Sequence, residues 1–322
     1  LDATIQNGQG PTPWQQDGGM TFIDGNVFAT DDAEIRQYIT ITEDGNLAIN
    51  ADQIGYGETQ IVNAGGLNLG DGTIGNQVAI SGDGVTEITG DVINNGNLST
   101  QLVIDEDSSF TTGTNNLNAQ GTIINDGDLA VNGNGWFGST LNNDIEGEGT
   151  TTFSGNLTTN GDIDNDVVIA SGNYTSNGDI EGTVTNNANF TNNGDVEGTV
   201  VNKAGAQLNG SGTMDKLINS GSASIAADSV SGENSLILNE GDLTLNGSTG
   251  SPFGPQPDPL TLDTKIMGID GTTTLTGNVD IEEGTTISQE TVNIGNSSGF
   301  GFTGNNVTSN GHIIADELNI TS

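Results

Sequence analysis

Four acidic phrases hold the residues best placed to do chemistry: Asp144-Ile145-Glu146, Asp162-Ile163-Asp164, Asp179-Ile180-Glu181 and Asp195-Val196-Glu197, which follow one another at short, nearly even intervals. Carboxylates are hard oxygen donors. If the chain brings these phrases into stacked layers, they form two columns able to take calcium, which accepts irregular sets of carboxylate and carbonyl oxygens. The same columns left in water repel by roughly 0.9 kcal/mol per neighbouring pair at the strand spacing, and their plain reading is an exposed strand face screened by salt. There is neither an EF-hand loop nor a run of GGxGxD nonapeptides. Calcium at these eight carboxylates is therefore the one metal expectation, and no other cofactor is expected.

Other chemistry has few residues to use. The chain holds one histidine, His312, one arginine, Arg36, and no cysteine, so a nucleophilic triad reduces to a single candidate base. His312 follows Asn310-Gly311, a turn signal, and reads as a solvated corner residue. Paired carboxylates could hydrolyse glycosides, but with 43 acidic residues some pair is inevitable. No enzyme is expected. Trp14 and Trp136 are candidate sugar platforms, and sequons such as Asn97-Leu98-Ser99 arise by chance in a chain this rich in Asn and Thr.

The elements that must position these residues follow from a repeat. An aliphatic residue, a spacer, Asn, a spacer, Gly or Ala and one or two alternating apolar residues recur, as in Ile61 to Leu69, Val92 to Leu98, Ile123 to Val131, Val184 to Phe190, Val200 to Leu208, Leu217 to Ile225 and Ile237 to Leu245. The shared asparagines are Asn63, Asn94, Asn125, Asn186, Asn202, Asn219 and Asn239. The last four follow one another at a single period, and the first three at nearly twice that interval, about two periods each. Apolar and polar residues alternate in short runs, with Asn-Gly or Gly between runs, which marks short strands and tight corners. A unit of about 16 residues with three small strands cannot bury its apolar side alone, whereas stacked units share one core. The expected fold is all-β, a parallel β-solenoid (β-helix) with about 16 residues per coil and about 18 layers. Ile180, Val184 and Phe190 should point inward beneath Val196, Val200 and Leu208, and the seven asparagines should form a structural ladder along the axis.

Composition bounds the rest. With 50 Gly, 31% hydrophobic residues and a formal charge of -39, disorder is the competing expectation, and the phasing of Val, Ile and Leu against the corners argues against it. Arg36, Lys203, Lys216 and Lys265 are the only basic residues, so phosphate repulsion disfavours nucleic acid as a partner. No apolar run approaches the roughly 20 residues of a membrane span, so no membrane insertion is expected. The start Leu1-Asp2-Ala3 shows no signal-peptide pattern, which suits a mature form with its signal removed. The expected organisation is a cap or assembly arm at 1–40, a solenoid at 41–246, a Pro/Gly-rich loop at 247–260 that bulges from one coil, and further solenoid coils at 261–322.

The phrases from Glu181 to Phe190 and from Glu197 to Leu208 resemble the degenerate repeats of secreted bacterial β-solenoids, among them autotransporter passengers, filamentous-haemagglutinin-like adhesins and surface-layer proteins. The likeness covers roughly residues 41 to 246. It implies an extracellular protein at the bacterial cell surface that projects from, coats or links cells. The expected function is structural, a subunit that assembles head to tail with copies of itself into a filament or lattice. The alternative is an adhesin stalk that binds host or matrix glycans near Trp136 or the Pro252 to Pro259 loop.

Overall fold

The structure is a computed structural model, and it describes residues 20–30, 38–55, 58–133, 138–232, 235–248, 258–295 and 307–321. Trp14, Arg36, Trp136, the arm at Leu1 to Gly10 and Pro252 to Pro257 lie outside these residues. The fold is all-β, a parallel β-solenoid of about 13 turns spaced about 19 residues apart. The layers are thus fewer than expected, because the repeat that stands out in the sequence is the short end of the range. Val184 needs only the turn to Val200 to meet its partner, while Leu243 meets its own only at Thr273. That longest turn contains the Pro/Gly-rich segment, and strand pairing resumes beyond it in the same columns. Strand pairing also begins at Met20, which pairs with Tyr38, inside the segment expected to be a cap.

Contacts divide the chain into two compact units, 1–166 and 167–322. In the first unit each complete turn lays down up to three short strands. One column stacks Ile39, Ile61, Ile80 and Leu98 in direct register, and each is at most 1% exposed. A second stacks Ile49, Leu69, Ile88 and Ile104. A third runs Val92, Phe110, Leu129 and Thr151. Alternation drives this arrangement, since a strand such as Tyr38–Ile41 buries every other side chain and a one-residue slip would turn the apolar set outward.

The second unit repeats the logic with cleaner registers. Val184, Val200, Leu217, Ile237 and Ile266 form one inward column, and Tyr174, Phe190 and Leu208 another. Ile180 bridges Val196, so all six inward residues expected from sequence are buried and stacked in pairs. The Tyr174 and Phe190 rings stack with centroids 5.6 Å apart and planes 22° from parallel. Each such side chain contributes about 1.5–3 kcal/mol by leaving water.

Glycine is required where the wall turns. Gly210 has φ of +123°, and a Cβ there would lie 1.9 Å from the Asn192 carbonyl oxygen one turn below. Layers this close leave no room for a side chain at that corner.

Candidate functional site: the asparagine ladder and the acidic columns

The best-organised polar feature lies inside the second unit. Asn186, Asn202, Asn219 and Asn239 are fully buried and in register. Asn186 Nδ2 donates to Asn202 Oδ1 at 2.7 Å, Asn202 to Asn219 at 2.7 Å, and Asn219 to Asn239 at 2.8 Å. Asn239 passes the chain to Gln289 Oε1 at 2.8 Å. Each amide spends a second N–H on a backbone carbonyl one turn up: Gln207, Ser222, Asp242 and Thr272 in order. At Asn186 and Asn239 the Oδ1 also accepts the N–H two residues on, from Ala188 and Gly241. One side chain therefore closes its own corner and ties it to the next, with its hydrogen-bonding capacity used in a place water does not reach.

The first-unit asparagines share the corner but not the ladder. Asn63, Asn94 and Asn125 are buried, and their Nδ2 atoms reach the carbonyls of Val85, Asn116 and Thr150. Asn63 and Asn94 accept the N–H of Gly65 and Gly96. They stand on three different columns, Asn63 in register with Ile41, Asn94 with Ile74 and Asn125 with Ile104. Turns lie about 19 residues apart, so the interval between these asparagines is about one and two-thirds turns and moves each to another of the three walls. Threonine hydroxyls take the place of a next asparagine: Asn94 donates to Thr112 at 3.1 Å and Asn125 to Thr151 at 3.3 Å.

The acidic phrases come into register within each unit. Ile145 bridges Ile163, and Ile180 bridges Val196, which sets Asp144 and Glu146 beside Asp162 and Asp164, and Asp179 and Glu181 beside Asp195 and Glu197. All eight are exposed. The first acid of a phrase has a defined role. Asp144 Oδ1 accepts the backbone N–H of Asp162 at 3.0 Å, and Asp179 Oδ1 that of Asp195 at 2.8 Å. Asp195 in turn accepts the Thr213 hydroxyl. Asp71 caps the N–H of Asp91 in the same way. These carboxylates satisfy corner donors that the strand ladders leave over. A shallow cleft of about 330 Å³ beside Asp195, Glu197 and Asp215 is the nearest concavity. Among the described residues no three carboxylate or imidazole groups are grouped so that they could hold a metal ion. His312 is exposed in the strand His312–Thr321.

Sequence reasoning missed the buried Asn165 and Asn192. Asn165 accepts from the Thr151 hydroxyl at 2.9 Å, and Asn192 donates to the Thr213 carbonyl at 3.0 Å. Both lie outside the repeated phrase, and Asn is so common here that its identity alone carries no burial signal. Three of the aspartate caps had a legible mark in the Gly-Asp pairs at Gly70, Gly178 and Gly194, while Asp144 follows Asn143.

A parallel coil held by inward aliphatic columns and side-chain amides defines a β-solenoid repeat protein, and its organised polar groups bond within the coil. The chain matches no family model, no curated protein and no solved structure. No helix among the described residues is long and apolar enough to cross a membrane.

Proposed function

We propose that the chain is a structural subunit that adds to copies of itself, layer upon layer, in an extracellular assembly at a bacterial cell surface. The carrying observation is the strand His312–Thr321. It pairs in register with Thr286–Gly295 below, yet its inward-facing Leu318 and Ile320 are 49% and 71% exposed, while Val292 beneath Leu318 is fully buried. A further layer in the same register would cover them, and a second copy can supply one. A strand edge with apolar residues in phase is a template for such addition. The extracellular placement rests on the resemblance of the repeats around Glu181 and Glu197 to secreted solenoids. No catalytic role belongs to this reading.

Negative-stain electron microscopy of the purified chain, with and without millimolar calcium, tests the proposal. The expected result is fibres with a regular axial repeat in both conditions, because the layers need no ion to stack. Separate particles in both conditions would overturn it and favour the second reading, a binding module of adhesin type. Fibres only with calcium would reinstate the acidic columns as bridging sites.

A further inference from the structure

One wall of the second unit carries outward apolar residues in continuous register. Its outward positions in consecutive turns are Val201, Ile218, Leu238 and Met267, each in direct register with the next. Ile218, Leu238 and Met267 are 38%, 36% and 46% exposed. Two residues earlier on the same strands stand Thr199, Lys216, Leu236 and Lys265, again in register. These eight positions include two of the chain's three lysines and no acid, in a chain with 43 acidic residues. An apolar stripe this ordered on a surface this charged marks a contact surface.

We propose that this wall pairs side by side with the same wall of a second copy. The occupant follows from charge and pitch. Two chains of formal charge -39 repel over carboxylate-bearing walls, and here they can approach without opposing acids. The stripe's ridges repeat at the strand spacing of about 4.8 Å, and an identical stripe matches that pitch layer for layer, as two sheets do when packed face to face. With a two-fold axis along the apolar column, Leu238 meets its counterpart. Each lysine column then faces the partner's corner beyond the buried asparagines, where Glu240 and Glu290 are exposed one turn to either side of Lys265's own layer. Long lysine side chains can cover the apolar rim and reach those carboxylates. The contact is isologous and closes on itself, so it sets the width of an assembly, whereas stacking sets its length. It rests on the self-assembly reading above but uses a different surface.

Sedimentation equilibrium of the whole chain and of Leu238→Asp, an exposed site whose change leaves the core intact, tests the pairing, with circular dichroism melts to check folding. At protein concentrations below those that give fibres, the expected result is a dimer for the parent and a dissociation constant more than tenfold higher for Leu238→Asp, with Lys265→Glu weakening the parent dimer in the same direction. A parent that stays monomeric, or a folded Leu238→Asp that pairs as tightly, overturns the proposal. Binding of the monomeric parent to vesicles containing anionic lipid would overturn it too and give the stripe to a membrane surface. The two proposals fail separately: fibres of single width from Leu238→Asp against paired ones from the parent support the lateral contact, and dimers without fibres overturn end-to-end stacking alone.

Discussion

Among single residues, the sharpest contrast is between asparagines of identical type inside and outside the wall. Asn202 donates to Asn219 and to the Ser222 carbonyl, and accepts from Asn186. Replacing it with alanine strands buried partners at two corners, so Asn202→Ala should cost roughly 3 kcal/mol, each unsatisfied buried group costing about 1–3 kcal/mol. Asn193 donates to Asn177 at 2.9 Å on the exposed surface, and Asn193→Ala should cost less than about 0.5 kcal/mol. Urea unfolding of the two variants checks the ranking, and equal losses would mean that the ladder is ornamental. Asp105 gives a second test. Burial first, then the charges of Glu87 and Asp126, push its carboxyl above the usual aspartate range. A raised folded-state pKa means that this group favours the folded chain below its unfolded pKa and that this contribution is lost as pH rises through the folded value. Asp105→Asn should therefore raise the melting temperature slightly at pH 7, with the gain fading in acid. The effect is small because the group is largely solvated.

For strands and corners, turn length varies while register holds. The segment between Asn246 and Leu260 makes its turn the longest of the second unit, yet Leu243, Thr273 and Val292 remain in one column. The coil tolerates insertions at corners because a loop there costs only slowly growing closure entropy, whereas an insertion within a strand flips its inward face. Shortening the chain between Asn246 and Leu260 should leave stability within about 1 kcal/mol, since no strand column includes it. Gly210→Ala should cost roughly 2–4 kcal/mol, because it combines a strained φ with a clash against the turn below. Thermal unfolding of both variants distinguishes a tolerant segment from an intolerant corner.

Across the whole molecule, charge governs behaviour. Forty-three acids against four basic residues leave every exposed acidic column under mutual repulsion that added ions screen. Raising sodium chloride from about 0.01 to 0.15 M shortens the screening length from about 30 to 8 Å, so the melting temperature should rise. Millimolar calcium and magnesium should act alike, through screening; a rise specific to calcium would show that the columns coordinate it. Screening should also strengthen side-by-side pairing, as it weakens the net repulsion between copies.

The two-residue alternation around Ile180, Val184 and Phe190, punctuated by Asn-Gly, is enough to specify a stack of short parallel strands, because period and corner chemistry are local properties. The second-unit ladder was legible for the same reason, each of Asn186, Asn202, Asn219 and Asn239 lying one turn of chain beyond the last. Which wall each residue occupies is not local, and packing chooses it. The interval between Asn63, Asn94 and Asn125 reads equally as two short turns or about one and two-thirds longer ones, and only packing selects the latter and puts the three on separate columns. The apolar stripe divides the same way: Ile218 and Leu238 are the spacers before Asn219 and Asn239 in the repeated phrase, whereas Met267 precedes Gly268 and joins them only through strand register. Corner length, set by how each loop closes over its own layer, brings them onto one face.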